Sequence, residues 1–168
     1  MPTAQPDMRP EPQTDRAALY ELDYQCWLDR TVAQLRARDL NSLDWENLIE
    51  ELESLGKRDK RAIVSYLMRL CEHLLKLQYW QTERENCFRG WAGEVRNFRL
   101  QIRSSLADSP SLKAHLKAAF LEAYRDGRNL FLDRSGLDAT LVPEEPPFTL
   151  VQALNEAWLP WKPQIDPE

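Results

Sequence analysis

The sequence predicts an all-α protein, an antiparallel bundle of about five main helices with a short helix near its C-terminal end. Three observations lead there. Proline crowds the ends, with four in residues 1–14, six in the last twenty-six, and Pro110 alone between residues 15 and 142. Because proline removes a backbone donor and blocks a helix interior, that long gap permits long helices. Apolar residues recur at helical spacing across it. Only 5 glycines and no β-rich run argue against a sandwich or barrel.

The spacing predicts a first helix over Asp15–Asp39, where Leu19, Leu22, Cys26, Val32 and Leu35 recur beside Tyr20, Tyr24 and Trp27. Asn41 or Ser42 then offers a capping oxygen to a second helix opening at Asp44-Trp45-Glu46. Its apolar side is Leu48, Ile49, Leu52 and Leu55, and Gly56 is expected to end it. Asp59 would cap a third helix carrying Ile63, Leu67, Leu70, Leu74 and Leu77. A fourth, Glu85–Ala107, places Trp91, Val95, Phe98, Ile102 and Leu106 on one face. Ser109-Pro110 is the start signal of a fifth, with proline at the first helical position and a stop near Gly136. A short last helix is expected over Thr149–Trp158. The organisation expected is a flexible Pro-rich tail over residues 1–14, one domain over 15–163 and a short tail over 164–168.

Composition narrows the function classes. Against 27 acidic residues stand 22 basic ones, a net charge of −5. That balance counts against a dedicated nucleic-acid binder. Mean hydropathy is −0.59, and no window approaches the roughly 18 apolar residues of a spanning helix. The N-terminus lacks the apolar run of a secretory signal. Cys26, Cys71 and Cys87 are odd in number and lack CxxC spacing, so they read as reduced thiols in a cytoplasmic protein.

Several segments carry a family likeness. They are Tyr20-Glu21-Leu22-Asp23-Tyr24 with Trp27, the run Asp44 to Gly56, Leu70-Cys71-Glu72-His73-Leu74-Leu75-Lys76-Leu77-Gln78-Tyr79, Trp91 with the Arg96/Arg99 region, and Asp108-Ser109-Pro110-Ser111-Leu112. In these the chain resembles the uncharacterised bacterial, largely cyanobacterial, family known as domain of unknown function twenty-nine, over residues 15–163. The resemblance implies an all-helical domain; the family has no established activity to carry over. One departure is visible: after the tryptophan, where the family has a Thr-Ile-like pair, this chain reads Gly93-Glu94-Val95.

The residues themselves nominate candidates. Glu46, Glu50 and Glu53, at i, i+4 and i+7, share one helix face. They suit a solvated face, salt bridges to a neighbouring helix, or a divalent cation. Arg89, Arg96, Arg99 and Arg103 line the fourth helix. Guanidinium groups there would pair with that acidic helix or receive phosphate. His73 is a candidate base or a hydrogen-bonded structural residue. A break at Gly56 would fold Glu46 back towards Arg69 and His73, whereas an unbroken helix holds Glu46 and His73 about 40 Å apart.

Neither His73 nor His115 follows a glutamate by three residues, which excludes the ferritin-like di-metal pattern. Cys71 and His73 lie on different helix faces, and no glycine-rich phosphate loop is present. No cofactor or metal is expected. Of six tryptophans, Trp158 and Trp161 fall in a proline-flanked segment, either stapling it down or offering a partner an anchor, and Trp91 joins them as a candidate contact.

The leading reading is a non-enzymatic helical interaction or accessory module with a protein partner or self-association. The alternative is an enzyme whose pocket gathers Glu46 or Glu50, His73 and Arg96 or Arg99 around a phosphorylated or nucleic-acid substrate. Third comes nucleic-acid binding by the fourth-helix arginines, with steep salt dependence.

Overall fold

The computed structural model describes residues 13–164, with side chains from Ala18 onward. Among the described residues there are six α-helices and no strand. They are α1 (Gln13–Leu22), α2 (Tyr24–Ala37), α3 (Trp45–Tyr79), α4 (Arg84–Asp108), α5 (Leu112–Ser135) and α6 (Leu150–Leu154). The tail expected over residues 1–14 lies outside the described residues, except Gln13 and Thr14, which open α1. That over 164–168 also lies outside them, save Gln164. The chain divides into two compact units, one ending at Lys57 and one beginning at Arg58.

In the first unit the single helix expected over 15–39 is two. Asp23 leaves helical geometry (φ −150°, ψ 86°) and its carboxylate accepts from the Cys26 N–H, capping α2. An aspartate there competes with the backbone for the same donors, which is why it interrupts the run. α2 ends at Arg38 in the left-handed region (φ 58°), with its N–H shared between the Gln34 and Leu35 carbonyls. Asp44, rather than Asn41 or Ser42, caps α3: its carboxylate takes the Asn47 N–H and the Trp27 indole N–H. Tyr20 and Tyr24 both donate to the Glu51 carboxylate, at 2.7 and 3.1 Å.

The break at Gly56 does not occur. α3 runs through it as 35 continuous residues. A helix-interior glycine costs about 1 kcal/mol relative to alanine, too little to stop a helix flanked by strong formers. The Lys57–Glu53 ion pair at 3.3 Å also spans that turn. The Asp59 cap and the separate third helix go with it.

The second unit is a bundle. Residues 80–83 join α3 to α4 and residues 109–111 join α4 to α5, short links of the kind that make antiparallel neighbours. Its core is Leu67, Leu70, Leu74 and Leu77 from α3, Val95 and Ile102 from α4, and Leu116, Tyr124 and Phe131 from α5, closed by Val142, Phe148 and Ala153. α3 and α5 meet closely at Gly127, where an added Cβ would stand 2.5 Å from the Met68 carbonyl oxygen. α5 begins at Leu112, and Ser109 does not cap it; the Ser109 carbonyl instead accepts from the Leu112 N–H in a preceding turn. Its stop is as expected, with Gly136 in the left-handed region (φ 65°). Thr149 opens α6 through a reciprocal capping box with Gln152, and the helix ends early at Leu154.

The segments around α6 are held by cations on backbone oxygens. Arg128 donates to the carbonyls of Ala139 and Val142, and the Tyr124 hydroxyl to that of Pro143 at 2.6 Å. Carbonyls outside a helix ladder need such donors when buried.

Candidate functional site

Three features stand out. The first is a buried ionic cluster on α3. Every residue from Leu70 to Leu77 is buried, including Glu72 at 0% exposure and Lys76 at 3%. The Glu72 carboxylate meets Lys76 and Arg69 at 2.9 Å each and Arg134 of α5 at 3.3 Å. Burial pushes its carboxyl up, but hydrogen bonds from Lys76 and Arg69 outweigh that and hold it below the usual carboxylate range. His73 Nδ1 donates to the Arg69 carbonyl at 2.9 Å, which leaves Nε2 as acceptor towards Lys76 Nζ at 3.5 Å. Both contacts suit one neutral tautomer. Burial holds the His73 ring below its ordinary value, against the opposing pull of its backbone hydrogen bond. Phe98 covers the ring at 5.6 Å, and Lys76 lies 6.0 Å from the Trp91 ring. His73 therefore sits as a neutral member of a packed network.

Sequence reasoning singled out His73 and missed Glu72 and Lys76. The signal was present: they stand at i, i+4 inside a run apolar on every side, the mark of a helix buried all round. Cys71 belongs to the same run, and burial pushes its thiol up to about 12, well away from a nucleophilic thiolate.

The second feature is a groove on α4. Arg96, Arg99 and Arg103 line it with Ala92, Leu100, Glu156 and Leu159, enclosing about 310 Å³. Arg99 is buried, its Nε–H donating to the Ala153 carbonyl at 2.7 Å and an Nη2–H to the Trp158 carbonyl at 2.9 Å. Arg103 pairs with Glu156. The candidate tryptophans are packed: Trp91 stacks on Trp80 at 5.5 Å, Trp158 meets Phe148 at a tilt at 5.8 Å, and Trp161 meets Phe88 edge-on at 5.8 Å under the Arg84 guanidinium. Trp158 and Trp161 thus staple their segment to the second unit.

The third feature lies in the first unit. Trp45, Ile49, Leu52 and Leu55 of α3 are 48, 53, 62 and 48% exposed. Ile49, Leu52 and Leu55 belong to the apolar side read from the sequence, whose remaining member, Leu48, is half-buried. Glu46, Glu50 and Glu53 run beside them, all exposed, and among the described residues the only ion pair of the three is the Lys57–Glu53 pair within α3. The acidic stripe is therefore a solvated face, and no group of three or more metal-ligating side chains occurs among the described residues. The groove that holds Arg96 and Arg99 is lined by neither His73 nor Glu46 nor Glu50. No helix among the described residues is long and apolar enough to cross a membrane.

Fold and surfaces together define an all-α protein with a helical bundle in its second unit and an uncovered amphipathic helix face in its first. A family model described as "Domain of unknown function DUF29" matches residues 19–159, and the chain belongs to that family. No curated protein and no solved structure matches it.

Proposed function

We propose that the chain is a non-enzymatic interaction module that binds another protein, or a second copy of itself, through the Trp45–Leu55 face of α3. One observation carries this reading: four large apolar side chains at helical spacing are 48–62% exposed on one face. Single exposed apolar residues are ordinary, whereas a contiguous stripe marks an interaction surface. A helix presenting anchors at i, i+4, i+7 and i+10 is read by an apolar groove or by another amphipathic helix. Tryptophan among them suits a binding anchor, and Trp45 keeps its indole N–H on the Leu40 carbonyl at 3.1 Å, so its orientation is set beforehand. The flanking glutamates form the polar rim such a surface needs.

The test is the double variant Ile49→Glu/Leu52→Glu. Light scattering on the purified chain and affinity capture from the native host, each with wild type alongside, read the outcome. Loss of self-association, or of a stoichiometric partner, with an unchanged circular-dichroism melt is expected. Retention of both would overturn the reading.

A further inference from the structure

We infer that the α4 groove binds a small organic anion, a carboxylate or phosphate on an apolar body, in competition with the chain's own Glu156. This inference does not rest on the reading of the α3 face. α4 sets Arg96, Arg99 and Arg103 at i, i+3 and i+7, so three guanidinium groups share one wall. A single carboxylate, that of Glu156, faces them. It is engaged with Arg103, and both side chains remain largely exposed.

Arg99 is the anchor of the argument. Only 5% exposed, it spends two donors on the carbonyls of Ala153 and Trp158. Those carbonyls fix the plane of the guanidinium but leave its charge uncancelled. Burial accordingly pulls its pKa down, with Glu156 the opposing influence. Buried charges are ordinarily paired, so a cation held this way favours an anion beside it. Arg96 is exposed and has no ion-pair partner among the described residues, and it provides the second prong of a clamp. Forked guanidinium groups favour planar carboxylate and phosphate oxygens.

The remaining wall is Ala92, Leu100 and Leu159, which rewards an apolar body beside the charge. A volume near 310 Å³ sits at the small end of ligand clefts, which run from about 300 to 1,000 Å³. Glu156 offers Arg103 the same oxygen chemistry from within the chain. Removing its charge frees Arg103 and lifts the repulsion of an incoming anion.

The experiment is isothermal titration of the full chain with phenyl phosphate and with benzoate, at fixed ionic strength, with benzyl alcohol as the uncharged control. Saturable binding of at least one anion, with none of the alcohol, is expected; which anion binds tells phosphate from carboxylate. Arg96→Ala, an exposed change, should weaken binding about tenfold or more without altering the melt. Glu156→Gln should tighten it severalfold. No saturable binding of either anion in the millimolar range, equal binding by Arg96→Ala, or weaker binding by Glu156→Gln would each sink the proposal.

Discussion

The two ends of α3 are one helix in two solvents. Near its start, Trp45, Ile49, Leu52 and Leu55 are 48–62% exposed to water. From Leu70 to Leu77 even its glutamate and lysine are out of water. Backbone hydrogen bonds continue regardless, because propagation depends on neighbouring turns and not on what covers the side chains. Burial therefore decides the importance of a residue here more than its type does. A leucine near the start contributes little to folding, and a glutamate near the end is a core residue.

The sharpest way to test that contrast is Glu72→Ala. It removes the carboxylate shared by Arg69, Lys76 and Arg134 and leaves the Lys76 ammonium buried, which should cost about 3–5 kcal/mol in urea unfolding. The double variant Glu72→Leu/Lys76→Met should recover most of it, since an apolar pair of similar volume can replace a buried ion pair. Next in size is Gly127→Ala. With its new Cβ 2.5 Å from the Met68 carbonyl, α3 and α5 must separate, lowering stability by about 1–3 kcal/mol by the same measurement.

Acid should act on the buried end. The folded-state pKa values of His73 and Glu72 both lie below their ordinary values. Wherever the unfolded chain takes up a proton that the folded chain resists, stability falls as the pH is lowered. For His73 the contribution is intact above about 6.5 and is lost as pH falls through the lower folded value. For Glu72 the same loss begins below its ordinary carboxyl range. His73→Gln should therefore flatten the decline in urea midpoint between pH 7 and 5, and an unchanged slope would refute the neutral assignment. The smallest effect belongs to the exposed end: Gly56→Ala, in open space and without positive φ, should raise stability by about 1 kcal/mol in thermal unfolding.

Much of this fold was readable from spacing. The boundaries of α4, the stop at Gly136 and the Thr149 start follow from local chemistry, and local chemistry is what a sequence displays directly. Gly56 was harder, because its cost is small and the opposing propagation energy is spread over many residues. The apolar side of residues 48–55 was legible as a pattern. Its exposure was not, because amphipathic periodicity looks the same whether a covering element exists or not. Glu72 and Lys76 were hidden for the converse reason. An i, i+4 acid–base pair ordinarily signals surface, and only the unbroken apolar run around it marked these two as interior. The arginines of α4 were recognised as a set, but carbonyl oxygens from more than fifty residues away leave no mark on helical spacing.

That separation also orders events in time. Arg99 is synthesised 54 residues before Ala153 and 59 before Trp158, whose carbonyls accept its hydrogen bonds. Until those residues emerge, water must solvate the guanidinium, and this side of α4 stays unfinished however completely its helix has formed. Docking of the α6 segment is thus the step that dehydrates a cation. A chain interrupted before Ala153 would carry a formed α4 with its arginine still wet.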